Sequence, residues 1–228
     1  MPLRLDLAAM RAHELQRALP RGEYLATRPA LTLARLTRQP IFAPDDYPET
    51  LELRVAEEAD WDDLGASLQH ASVARAARDA LHEMGFVQVG AYRLHNMPYP
   101  RNFFAYCKAA DTFAALFMGD ANAQKPHLEL YTLFRTVRDG MIGIVTTNAA
   151  HPETLDPSEH LIWLSNPDAS PAQVFQLHRG KVLEHGKANA RAQTAEDFQA
   201  AYLTIACENQ RVWRERGVLK PAPARVTT

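Results

Sequence analysis

Five segments rich in aromatic and branched residues follow one another between Phe86 and Thr147, joined by links too short for anything but antiparallel pairing. They are Phe86–Leu94, Asn102–Lys108, Thr112–Met118, His127–Thr136 and Met141–Thr147. A parallel crossover needs a dozen or more residues. The links here are turn chemistry: Ala109-Ala110-Asp111, Gly119–Pro126, and Asp139-Gly140, a pair suited to the positive φ angles of a tight hairpin. A further short strand is expected at Leu161–Ser165, and Leu51, Leu53 and Val55 alternate with charged residues as a half-buried strand does.

These strands are apolar on both sides. Phe103, Ala105 and Cys107 face one way and Phe104 and Tyr106 the other, while Phe113 and Phe117 oppose Ala114, Leu116 and Met118. A sheet with one solvated face would read more polar on that side. The second face is therefore expected to lie under the N-terminal arm, a second subunit or a bound ligand.

Helical patterns flank the strands. Residues 3–19 place Leu7, Ala8, Ala12, Leu15, Ala18 and Leu19 on one helical face. Tyr24–Pro48 holds Pro29, Pro40, Pro44 and Pro48 and reads as an irregular wrapping connection. Asp60 caps a predicted helix ending near Met84, with Gly85 at the left-handed position. Its apolar face shifts from Trp61, Leu64 and Leu68 to Val73, Ala77, Leu81 and Met84. Either the helix breaks near His70–Ser72 or its halves meet different neighbours. Ser170–Gln173 forms a capping box for a helix with the stripe Val174, Leu177, His178 and Val182, stopped by Gly186. Thr194 and Asp197 open the last helix, whose face is Phe198, Tyr202, Ile205, Asn209 and Val212.

The fold class is thus α+β: a curved antiparallel sheet of five to seven strands with helices packed on it. Residues 1–48 form an N-terminal helix and arm, 49–217 the α+β domain, and 218–228 a mobile tail. At 228 residues the chain buries a sizeable core without disulfides, and Cys107 and Cys207 fall in no metal-ligand spacing. A net charge of −2 gives no global pull toward nucleic acid or acidic membranes. No apolar run is long enough to span a bilayer, and charged residues interrupt the first twenty positions, so a cytoplasmic protein without a signal peptide or membrane association is expected.

Catalytic signatures are missing: there is no phosphate-cradling glycine loop, G-x-S-x-G elbow, H-E-x-x-H or paired CxxC. The segment His151–His160 brings two imidazoles together with Glu153, Asp156 and Glu159, but its spacing matches no standard metal pattern. A solvated loop is the preferred reading. Cys107 with His127 as nucleophile and base is set aside, because Cys107 alternates in phase with core residues. His178 within an apolar stripe reads as a satisfied core histidine. Polar positions that could line a binding groove remain: Glu129, Tyr131, Thr132 and Arg135 on one strand, and Thr147, Asn148 and His151 at the end of the next; for Glu129 and Arg135 the preferred reading is that they reach solvent at the sheet margin.

Charge is uneven along the chain. Between Arg4 and Arg38 seven arginines meet three acids, and from Asp45 to Asp63 nine acids accompany Arg54 alone. The basic arm either contacts phosphates or pairs with the acidic stretch.

Short pieces from Leu81 to Arg216 resemble a loose group of bacterial proteins of no assigned function. They are Met84-Gly85-Phe86, Gly90-Ala91-Tyr92, Tyr131-Thr132, Thr146-Thr147-Asn148, Ala169-Ser170-Pro171, Glu196-Asp197-Phe198 and Trp213-Arg214. The resemblance implies a bacterial origin and an intact domain, and carries no activity.

The function expected from these features is a non-enzymatic binding module without metal or cofactor. It would take a second copy, another protein or a small apolar ligand on its sheet face. The alternatives are a hydrolase or transferase using Thr147, Asn148, His151 and Glu129, and a nucleic-acid accessory protein acting through the arginine-rich arm.

Overall fold

The computed structural model describes residues 3–57, 68–94, 102–108, 111–118, 126–138, 140–149, 155–185 and 191–221. The expected meander is its centre. Strands β3 (Leu53–Val55), β4 (Val87–Leu94), β5 (Asn102–Lys108), β6 (Thr112–Phe117), β7 (His127–Arg138), β8 (Met141–Thr147) and β9 (Leu161–Ser165) form one sheet in sequence order. Every neighbouring pair is antiparallel except β8 and β9, which run parallel across a longer connection. Gly140 adopts φ 79° in the turn that pairs Arg138 with Met141, where a side chain would be strained.

Both faces of this sheet are covered by the chain's own helices. Helix α3 (Leu68–Glu83) and helix α4 (Pro171–His185) pack on one face, burying Ala77, Leu81, Phe86 and Val174 against Tyr106, Leu116, Leu128 and Leu130. Helix α5 (Ala195–Glu215) crosses the other, setting Phe198, Tyr202 and Ile205 on Phe103, Phe113, Tyr131 and Val145. Phe103 and Tyr202 stack at 4.9 Å and Tyr92 and Phe198 at 5.9 Å, so aromatic area dominates this core. The apolar second face read from sequence belongs to α5. Helix α3 runs unbroken through His70–Ser72, with Ala74, Ala77 and Leu81 buried and Val73 turned to solvent. The side chains of 58–71, including Trp61, Leu64 and Leu68, lie outside the described residues.

The N-terminal part departs from expectation. Leu3–Asp6 is a strand, β1, and the helix α1 covers only Ala12–Ala18. Leu3, Leu5 and Leu7 stand at the period of two that suits a strand, and only Leu7 belongs to the helical face read from sequence. The proline-rich stretch is a 17-residue helix, α2 (Arg21–Thr37), followed by β2 (Phe42–Tyr47). Pro29 inside α2 removes one helical N–H yet leaves the helix continuous. Residues 219–221 form β10, part of the segment expected to be a mobile tail. These strands make a second sheet in the order β10-β1-β2. Its core joins Leu3, Leu5, Leu15 and Leu31 to Leu155 and to Trp213 at the end of α5.

Candidate functional site

Two places collect chemistry. The first is the strip of β7 that faces α5. Alternation puts His127, Glu129 and Tyr131 on one side of the strand, and register places Thr147 of β8 directly opposite Glu129. The Tyr131 hydroxyl donates to Glu129 Oε2, and His127 Nε2 lies 3.8 Å from Oε1. Phe117 stacks on the His127 ring at 4.7 Å, and Tyr202 of α5 stands edge-on to Tyr131 at 5.9 Å. Glu129 is buried instead of reaching solvent at the sheet margin, and the neighbouring His127 side chain is 10% exposed. Trp163, one strand beyond Val145, packs on the same cluster, and its buried indole N–H has no hydrogen-bond acceptor among the described residues.

Of the positions read from sequence, the structure therefore unites Glu129, Tyr131 and Thr147. Asn148 turns away: its Oδ1 accepts from Leu128 N at 2.7 Å and its Nδ2 donates to Ala169 O at 3.0 Å, tying β7 to the entry of α4. Thr147 Oγ1 accepts from Ala149 N at 3.0 Å. Arg135 lies on β7 with its side chain outside the described residues, and His151 lies outside them entirely. The sequence signal for His127 as a neighbour of Glu129 was the alternation itself. Cys107 and His127 do not meet, because Cys107 is level with Phe113 and His127 with Phe117. Burial, with Asp197 nearby, pushes the Cys107 thiol up to about 12.

Of the loop groups weighed for metal, His151 and Glu153 lie outside the described residues, and Asp156 and His160 are engaged separately. Asp156 receives Arg11 at 2.7 Å, Arg17 at 2.6 Å and His13 at 2.8 Å. Burial raises its carboxyl, but these donors outweigh that and hold it at about 2. Below it, the fully buried Glu14 accepts from Arg11 N, Asp156 N and Arg216. His160 bonds Glu208 at 2.7 Å together with Arg211 and Ser158. Among the described residues no three His, Cys, Asp or Glu side chains converge as metal ligands would.

The second place is a cleft of about 310 Å³ between α4 and the β5–β6 turn, lined by Lys108, Asp111, Thr112, Phe175, Arg179 and Leu183 with Val182 behind them. Small-molecule sites begin at about this size. The half-buried Lys108 ammonium bonds the Met84 carbonyl and lies 5.6 Å and 5.4 Å from the Phe86 and Phe175 ring centres. Among the described residues neither Lys108 nor the exposed Arg179 has a carboxylate partner, and the Asp111 carboxylate accepts from Thr112 at 2.9 Å. The wall behind the cleft is held by His178. Its Nε2 lies 2.9 Å from Thr132 Oγ1 and its Nδ1 2.9 Å from Thr146 Oγ1, while Thr132 donates to the Asp111 carbonyl at 2.9 Å. Leu177, expected beside His178 in the buried stripe, is 41% exposed instead. No sequence signal marked this cleft, since Lys108 and Arg179 are 71 positions apart in the numbering and ordinary surface types.

The chain matches no family model, no curated protein and no solved structure. No described helix is long and apolar enough to cross a membrane.

Proposed function

We propose that the chain is a non-enzymatic binding module whose cleft between α4 and the β5–β6 turn holds a small organic anion with an apolar body. The observation that carries this reading is Lys108, an ammonium seated on two aromatic rings in a cleft it shares with Arg179; among the described residues neither makes an ion pair, and the Asp111 carboxylate of the same cleft is engaged by Thr112. Phe175, Val182 and Leu183 supply the apolar wall. A ligand carboxylate would complete a charge-assisted pair with the guanidinium, and its hydrocarbon would cover Leu183, which is 72% exposed.

The sheet face loses its appeal as a docking surface, since helices cover both sides. The enzymatic alternative draws less support from Asn148 now that its side chain holds backbone groups. Of the arm's arginines, Arg4 pairs with Asp46, Arg11 and Arg17 pair with Asp156, and Arg35 donates to the carbonyls of Ala8 and Met10. Of the seven, that leaves Arg21, Arg28 and Arg38 for phosphates.

Octanoate titrated into the protein by calorimetry tests the reading, with octanol and inorganic phosphate as controls. Saturable heat from octanoate alone, weakened about tenfold by Arg179→Gln, is expected. Absence of binding by octanoate and by benzoate, or binding that ignores both Arg179→Gln and Leu183→Asp, would remove the proposal.

A further inference from the structure

Helix α2 is apolar on both sides. Its inner side buries Leu31 and Ala34 in the core of the small sheet. On the opposite side Leu25, Pro29, Leu33 and Leu36 follow the i, i+4, i+8, i+11 line of one helical face. The three leucines there are 57%, 62% and 79% exposed. An outward helix face of a globular protein ordinarily carries charge; this one carries none. The polar groups of the helix are also withdrawn into it: Thr27, Thr32 and Thr37 donate to the carbonyls of Glu23, Arg28 and Leu33 at 2.7, 3.0 and 3.0 Å. Their hydroxyl protons are satisfied without water.

The charges beside the stripe have one sign. Arg21, Arg28 and Arg38 are exposed and make no ion pair among the described residues, and Glu23 is the one acid of the helix. They are the arginines left over once Arg4, Arg11, Arg17 and Arg35 are engaged. Net charge over the whole chain is −2, but screening confines its influence to about 8–10 Å, so the local excess decides what approaches α2.

From this charge pattern we infer that the outward face of α2 docks on an anionic lipid surface, lying flat with its leucines among the acyl chains and its arginines at the headgroups. A second copy fits less well. Pairing two such faces would set arginine flank against arginine flank, and one helix of about 25 Å offers far less than the roughly 800 Å² per partner of a stable interface. Depth is limited by Pro29, which has no N–H for the Leu25 carbonyl. That oxygen needs water, which holds the helix at headgroup level.

Sedimentation with extruded vesicles, at low salt, tests this. Vesicles of equal parts phosphatidylserine and phosphatidylcholine should carry the protein down, and pure phosphatidylcholine should not. Leu33→Asp with Leu36→Asp should abolish binding with the Tm unchanged, since both side chains stand in solvent. Arg21→Gln with Arg28→Gln provides an independent variant and should weaken binding at least threefold, as added salt should. No partition onto the anionic vesicles would overturn the inference, and so would partition indifferent to both double variants. A dimer in light scattering that Leu33→Asp converts to monomer would overturn it too, assigning the stripe to a second copy.

Discussion

His178 Nε2 lies 2.9 Å from the Thr132 hydroxyl oxygen, and what lies beyond that hydroxyl decides which of them donates. Thr132 has one proton, and it points to the Asp111 carbonyl. The imidazole must therefore donate from Nε2, which leaves Nδ1 to accept from Thr146. The ring is held neutral in a single tautomer, with burial lowering its pKa to about 4.

A base with a depressed folded pKa is a liability as pH falls. Above its ordinary 6.5 neither state takes a proton, so the network contributes fully. Between 6.5 and about 4 the unfolded chain binds a proton that the folded one does not, and stability declines. The loss amounts to about 3 kcal/mol across that window. Urea denaturation of wild type and His178→Gln at neutral pH and at about pH 4.5 measures it. A fall in stability equal in both proteins would assign the titration elsewhere.

Asp156 works at the opposite end of the scale. Its carboxyl titrates near 2 instead of 3.8, so its contribution is present above 3.8 and is lost as pH falls through about 2. With a side chain 22% exposed, the pair network is worth on the order of 2 kcal/mol. Asp156→Asn should cost that much near neutrality and should raise amide exchange in α1, whose His13 and Arg17 lose their anchor. Exchange in α1 equal to wild type would refute the assignment.

Tyr131→Phe strips a buried carboxylate of a hydrogen-bond donor and should cost about 2 kcal/mol. The same change made in a Glu129→Gln background should cost less, because a neutral acceptor gains less from the phenol. A double-mutant cycle by denaturation reads the coupling directly. Additive costs would mean that the two groups act independently.

The two thiols should part company with a disulfide reagent such as DTNB. Cys207 is exposed and Cys107 is buried with its thiol at about 12. One equivalent should react in the folded protein and the second only after denaturation. Two fast equivalents would show that the α5 face opens readily.

How far the residues alone reveal this molecule depends on the range of the interactions involved. The strands Asn102–Lys108, Met141–Thr147 and Leu161–Ser165 were legible to the residue, because aromatic alternation and turn chemistry act within a few positions. The caps at Ser170 and Thr194 were legible for the same reason. The N-terminal region was not. The strand period of Leu3, Leu5 and Leu7 is short and runs straight into the helical pattern that starts at Leu7, and the partners that hold it as a strand, β2 and β10, lie further along the chain. The prolines argued against a helix over 21–37, although Pro29 costs only one hydrogen bond on a solvent-facing turn. Site residues followed the same rule. Glu129, Tyr131 and Thr147 came together through strand register, whereas the Lys108–Arg179 cleft needed the packing of α4, which no local pattern encodes.

The pairing of β1 with β10 also sets an order of events. Leu3 aligns with Pro221, and Lys220 bonds Asp6 across 214 positions at 2.8 Å. On the ribosome, β1 emerges early and must wait with one edge unpaired until Leu219 has been made, by which time the seven-stranded meander has every contact it needs. Closing so long a loop is slow, and the waiting edge is open to other chains. The small sheet is thus the last part of the protein to be sealed and, on unfolding, the first place where it would come undone.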